Sequence, residues 1–397
     1  MRNLIVGAVV GLVVGVVVGT TVIAPRVKLP AGATGRTGDA TRYAVSPTLR
    51  QLSRKVARSA DAKATTEATN SAPVSWRLAS AYASSLPHLG SLAKRLEAAM
   101  WRMSGGTIQI KFHEPGTLVK LDEMFDAVRS GAVDAAFAAP ALWAQKNPVL
   151  NLFAGIPFGP PVQEYLAWIF VGGGREIMER AHTKLGVHPL ICGALAPEGS
   201  GWFRTPVATL DEFKALRLGM SGLGGRVAAK LGANVTEMAE ADVFIALESG
   251  LIDGAEASQP AVDLELGLHR LAKHYYFPGW HQPATLLTLI VNLEAWNALT
   301  AGQRAQIEAA CGDNVRHGIA ESEAHQFNAL KELVKQGVQI ETWPPDILDA
   351  MRKAWAMVAA EQSAKSKDFK RAWETLATFR EEYGIWREIG DAKPPIH

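Results

Sequence analysis

Two cysteines in 397 residues are too few for a disulfide-built scaffold, so the fold has to rest on an apolar core. There is no H-E-x-x-H, no C-x-x-C and no G-x-S-x-G, which removes the zinc-protease, thioredoxin-like and serine-hydrolase signatures. An excess of one charge is also lacking. The 41 Lys and Arg stand against 39 Asp and Glu, a net charge of +2 at pH 7, with no basic stripe or RNA-binding signature, so no nucleic acid is expected as a partner. Gly222-x-Gly224-Gly225 follows a strand-like run, but Val227 stands where a dinucleotide fingerprint needs its third glycine and no ribose-binding acid is evident. The segment therefore reads as a turn loop. Cys192 and Cys311 are far apart in sequence; an oxidising compartment would allow them to pair, and two free, buried thiols are the default expectation.

What is present begins with Leu4 to Ile23, an uncharged apolar run of about the twenty residues that span a bilayer as a helix. It is long for the core of a signal peptide and no A-x-A site follows it, so residues 1–24 read as an anchor in preference to a cleaved signal. Gly7, Gly11, Gly15 and Gly19 repeat at the spacing that lets helices pair closely in lipid. Residues 25–73 are poor in large apolar side chains and read as a tether. The remainder exceeds the usual size of one compact domain, so two lobes are expected, over 74–195 and 196–290, with a helical segment over 291–397.

The first lobe reads as βαβαβ with a parallel sheet: strands at Trp76 to Ala83, Thr107 to Phe112 and Ala132 to Ala138, with helices between them. An internal match ties the two lobes together. Ala127 to Phe137 (AVRSGAVDAAF) aligns without gaps to Ala246 to Glu256 (ALESGLIDGAE), a helix, a glycine stop and a strand in each. On this reading Phe137 and Glu256 end equivalent strands and face each other across a cleft. Glu256 then lies at the carboxyl end of a strand, where open α/β sheets bind ligands; a solvated loop acid is the plainer reading. Arg217, between Leu216 and Leu218, reads as a buried guanidinium, satisfied either by a ligand carboxylate or by a protein acid. From Glu294 onward the pattern is mainly helical, and Trp355, Trp373 and Trp386 lie on helices that cover the lobes or pair with a second subunit.

The order of segments, the ALESGLIDGAE run and above all HYYFPGWHQP (His274 to Pro283) resemble the extracytoplasmic solute receptors of tripartite ATP-independent periplasmic (TRAP) transporters, in the branch that binds 2-oxo and 2-hydroxy monocarboxylates. The resemblance covers about Val74 to Gly390. It implies an α/β, two-lobe fold of the type II periplasmic-binding-protein kind, with a hinge and long C-terminal helices. It further implies a periplasmic protein that is not an enzyme, that takes a small carboxylate such as pyruvate or lactate together with a calcium or sodium ion, that serves membrane transporter subunits and that forms a homodimer. Carried over position by position, the carboxylate clamp falls on Arg217 and the cation ligands on Glu256 and the carbonyl of Ala257, where tryptophan is usual. Glu198 stands in place of a glutamine ahead of Gly201-Trp202-Phe203. Tyr82 matches the aromatic after the first strand, Trp143 lies beside Ala141 and Leu142 in place of paired tyrosines, and Gln282 replaces a glutamate after Trp280-His281. Trp202, Trp280 and His281 complete the expected ligand site, with His281 alternatively a satisfied structural histidine. Glu198 adds a carboxylate beside Glu256, which favours calcium over sodium. A membrane-anchored sensor for the same ligand and an enzyme on a two-lobe scaffold are the competing readings.

Overall fold

The computed structural model describes residues 72–238 and 240–390. The anchor and tether expected over 1–73 lie almost wholly outside the described residues. None of the described helices is long and apolar enough to cross a membrane.

Among the described residues, eleven strands form two sheets. The first has the order β2-β1-β3-β10-β4, from β1 (Val74–Ser80), β2 (Ile108–His113), β3 (Ala135–Ala138), β4 (Val187–Leu195) and β10 (Thr285–Asn292). The second runs β11-β9-β5-β8-β6-β7, from β5 (Gly201–Phe203), β6 (Arg217–Gly219), β7 (Asn234–Thr236), β8 (Gly254–Ala255), β9 (His274–Phe277) and β11 (Gln339–Thr342). The expected βαβαβ start is present. β1 pairs in parallel with both β2 and β3, and α1 (Gly90–Ser104) and α2 (Met124–Ser130) make the crossovers. Glycine in the left-handed conformation ends each helix, at Gly105 and Gly131, as a chain turning from helix to strand requires.

The two-lobe architecture holds, but its sequence division differs from the expected one. β10, placed by sequence in the second lobe, inserts antiparallel between β3 and β4 of the first sheet. It is buried through Val291, as its mainly apolar run suits a strand covered on both faces. The chain therefore passes between the sheets more than once, leaving by 196–200 and returning by 278–284. It crosses again through α10 (Ala301–Lys335), a helix of 35 residues that packs on β4 and α1 and also on α8 (Pro260–Leu266). In α10, Asn314 is fully buried and donates to the carbonyls of Leu92 and Cys192, both at 3.0 Å.

The cysteine expectation is corrected here. Cys192 on β4 and Cys311 on α10 are joined as a disulfide. The helix returns to the sheet more than a hundred residues later, a proximity set by topology and invisible in spacing. The expected facing of Phe137 and Glu256 is also corrected, because Phe137 is fully buried in the core of the first sheet.

The C-terminal helices α11 (Pro345–Lys365) and α12 (Lys367–Gly390) pack against each other. Trp355 and Trp373 meet edge to face at 5.2 Å, and the buried Glu164 accepts from Arg380 at 2.9 Å and Arg387 at 3.1 Å.

Closing a loop of this length restricts the unfolded chain, so the Cys192→Ser, Cys311→Ser protein should lose about 3 to 5 kcal/mol in urea unfolding. An unchanged midpoint under reducing and oxidising conditions would contradict this.

Candidate functional site

The site forms where three chain segments meet. Glu198 lies between β4 and β5, Glu256 directly follows β8, and His281 follows β9. The FPGW run is fitted closely against the first of these: a Cβ on Gly279 would stand 2.1 Å from the Glu198 carbonyl oxygen, so only glycine allows the approach. The Glu198 amide then donates to the Gln282 carbonyl at 3.2 Å. Glu256 is held by its own amide, which donates to Gly219 at 3.0 Å, and so sits at the carboxyl end of its strand as the sequence suggested.

His281 stands between the two acids. Its Nε2 is 3.7 Å from Glu198 Oε2 and 3.7 Å from Glu256 Oε1. These distances exceed hydrogen-bond length, so the attraction is between charges. Both ring nitrogens and Glu198 Oε2 are buried without a hydrogen-bond partner, while Glu198 Oε1 accepts from the Thr285 hydroxyl at 2.6 Å. Burial alone would lower the imidazole pKa, but the two carboxylates outweigh it and raise it to about 9. The ligand atoms of Glu198, Glu256 and His281 lie within 4.8 Å of one another, a geometry able to hold a cation. Buried donors aimed at a common point without partners are what such an ion would satisfy.

A small cavity of about 10 Å³ adjoins this cluster. Glu256, Ser200, Trp280, Phe203, Phe213, Leu218, Met220, Ala255 and Trp343 line it. That is room for about one water-sized group, so an organic ligand enters only when the lobes part. Lys and Arg are absent from that lining.

The placement of Arg217 corrects the sequence reading. β6 alternates, and because Leu218 faces the cavity, Arg217 points the opposite way. It is exposed. Its Nε and backbone amide both donate to Asp253 Oδ2 at 2.9 Å. The first lobe contains the same arrangement: the amide and Nε of Arg77 donate to Asp134 at 2.8 and 3.0 Å. Asp134 and Asp253 occupy the same position of the internal repeat, and each joins its strand to the arginine of the parallel neighbour, β1 or β6. The protein-acid alternative therefore describes Arg217, and it does not reach the cavity as a carboxylate clamp.

Among the other expected residues, Trp280 lines the cavity and His281 joins the acids. Trp202 does neither. It is fully buried in the second lobe, stacks on Tyr275 at 4.0 Å and donates through Nε1 to Asp263 at 2.8 Å. Trp143 is buried against Phe125 in the first lobe. The Tyr82 hydroxyl accepts from the Ala139 amide at 3.2 Å, and Ala257 packs on the second lobe's core. Sequence reasoning missed Asp263, which also accepts from Tyr275 at 2.7 Å and from the Ser258 amide at 2.9 Å. Burial outweighs these three bonds and lifts its pKa to about 7. It missed Trp343 too, whose Nε1 donates to the Ser200 hydroxyl at 2.7 Å; nothing in its local sequence marks it as belonging to the site.

A histidine pKa raised from 6.5 to about 9 stabilises the folded state fully below pH 6.5, and that stability is lost as pH rises to about 9. The loss should be about 3 kcal/mol in urea unfolding between those limits and should shrink clearly in Glu256→Gln. A flat profile in the unaltered protein would show that His281 is neutral between its acids.

Residues 79–366 match the family described as bacterial extracellular solute-binding protein, family 7. The chain is 29% identical over 321 residues to a monocarboxylate 2-oxoacid-binding periplasmic protein of a Nostoc species, covering 80% of this chain and 87% of the relative. Among solved structures, a TRAP transporter solute-binding protein from Bordetella bronchiseptica superposes with a TM-score of 0.78 at 30% identity. The match covers 81% of this chain and 96% of that one, a mixed-occupancy dimer with calcium and picolinate in one site. A TRAP periplasmic solute-binding protein from Pseudoalteromonas atlantica, with bound sodium and pyruvate, gives 0.75 at 30% identity, over 80% and 96% of the two chains. With the family match spanning most of the two lobes, this chain belongs to family 7 of the bacterial extracellular solute-binding proteins.

Proposed function

We propose that the protein is the periplasmic receptor of a TRAP transporter, capturing a small 2-oxo or 2-hydroxy monocarboxylate with a calcium or sodium ion and delivering it to the membrane subunits. The observation that carries this reading is the convergence of Glu198, Glu256 and His281 beside a small, mainly apolar cavity. It is supported by the ligands of the similar proteins: pyruvate with sodium in one, picolinate with calcium in another. Oxygen-rich donors suit these hard cations. The ion, taken up by the carboxylates of Glu198 and Glu256 as His281 releases its proton, supplies positive charge that the cavity lining lacks, so the ligand carboxylate meets the metal in place of an arginine. Binding energy is used to close the lobes, and no residue is assigned a catalytic role.

A second reading rests on the same lining. Two acids beside a cavity without Lys or Arg also suit a ligand carrying its own ammonium group, which would pair with them without metal.

Calorimetry with pyruvate, with and without chelator, separates the two. Binding should need the divalent or sodium ion, fall at least about tenfold in Glu256→Gln, and change less than about threefold in Arg217→Ala, whose ion pair with Asp253 is exposed to water and away from the cavity. Strong loss in Arg217→Ala would restore the clamp. Metal-independent binding of a small amine, with none of pyruvate, would select the second reading. Loss of solute uptake on deletion separates a transport receptor from a sensor, and turnover of a bound ligand would establish an enzyme.

Two further parts of the reading concern attachment and assembly. Residues 4–23 anchor the chain outside the cytoplasmic membrane, and α12 pairs two copies through Ile385, Trp386 and Ile389, which are 59%, 61% and 76% exposed. The native protein should require detergent for extraction and should be dimeric by light scattering, and Trp386→Glu should be monomeric. A soluble chain beginning beyond Ile23, or a monomer with the C-terminus intact, would overturn the corresponding part.

A further inference from the structure

A second group of ligating side chains lies away from the cavity, where the loop before α1 meets α10. His88 comes from that loop, and Glu321 and His325 from α10. A spacing of four residues puts Glu321 and His325 on one face of the helix. The ligand atoms of His88, Glu321 and His325 all lie within 4.8 Å of one another. His88 Nδ1 is 3.5 Å from Glu321 Oε2, close to the separation of about 3.3 Å between two donors that share a tetrahedral zinc at about 2 Å each. The His88 and His325 rings are 5.4 Å apart, centroid to centroid. One turn earlier on the same helix face, His317 Nε2 is 3.9 Å from the same Glu321 oxygen.

Two independent observations mark the group as more than neighbouring polar residues. His88 is fully buried, yet its Nδ1, directed at Glu321, makes no hydrogen bond; Glu321 Oε2 is equally buried and unpartnered. His88 also holds a φ of +57°, the left-handed region that a residue with a Cβ adopts only under strain. A buried imidazole on a strained backbone, aimed at a carboxylate it does not bond, needs a compensating partner.

We propose that His88, Glu321 and His325 form a binding site for a transition-metal dication of the zinc class, with His317 or water as the fourth ligand. Imidazole nitrogen with one carboxylate is a donor set that zinc, nickel and copper(II) take readily and calcium does not. The other ring nitrogen of His88 is 3.4 Å from the Gln326 amide nitrogen, a long contact. When Nδ1 binds the metal its proton moves to Nε2 and that contact is given up; Gln326 keeps its bonds to the Ser322 carbonyl at 2.6 Å and from the Ala261 amide at 3.0 Å. The metal would fasten the loop leading into α1 to the helix that both lobes share.

The test is calorimetric titration of zinc chloride into the chelator-treated full-length protein, with cobalt(II) absorption as a second readout of imidazole ligation. One site should weaken at least about tenfold in both His325→Ala and Glu321→Gln, and cobalt bands should weaken with it. His325 is exposed, so its variant is expected to fold normally. The same site should persist in Glu256→Gln, which removes a ligand of the cavity cluster. Unchanged zinc stoichiometry and affinity in both His325→Ala and Glu321→Gln, or loss of all zinc binding in Glu256→Gln alone, would overturn the assignment.

Discussion

Two carboxylates cannot be taken out of water side by side unless something positive stands with them, and that constraint shapes the region between the two lobes. Glu198 and Glu256 arrive from different segments, and the imidazole of His281 is the charge that permits both to be there. The arrangement depends on backbone fit before chemistry. Gly279 has to lie against the Glu198 carbonyl, β8 has to end at Ala255 so that Glu256 leaves the sheet, and β10 has to carry the chain back into the first sheet immediately afterwards.

The same economy appears in the internal repeat. Both lobes use an arginine on one strand and an aspartate at the start of its parallel neighbour, Arg77 with Asp134 and Arg217 with Asp253. Reading Arg217 alone, between two leucines, suggests a buried cation in want of a ligand. Reading it through the repeat gives its partner directly, because Asp253 stands where Asp134 does. The signal was in the sequence, in the register of the aspartates.

Around this frame the aromatics divide by neighbourhood. Trp202 and Tyr275 stack and share Asp263, so they stiffen the second lobe from within. Trp280 and Trp343 come from distant segments to wall the cavity. Nothing in a tryptophan's local sequence separates these roles, since a lobe core and a small-ligand pocket call for the same side chain.

The sequence by itself determined the helix and strand periodicity, the parallel start of the first lobe, the doubled helix-glycine-strand unit and the presence of Glu198, Glu256 and His281 in runs that turn at strand ends. These follow from local rules: side-chain period, glycine at helix stops and strand length. Tertiary structure alone decided the Cys192–Cys311 disulfide, the insertion of β10 between β3 and β4 and the meeting of His88 with Glu321 and His325. Each of these depends on which face of an element turns toward which neighbour after long stretches of intervening chain, and spacing along the chain carries no record of that.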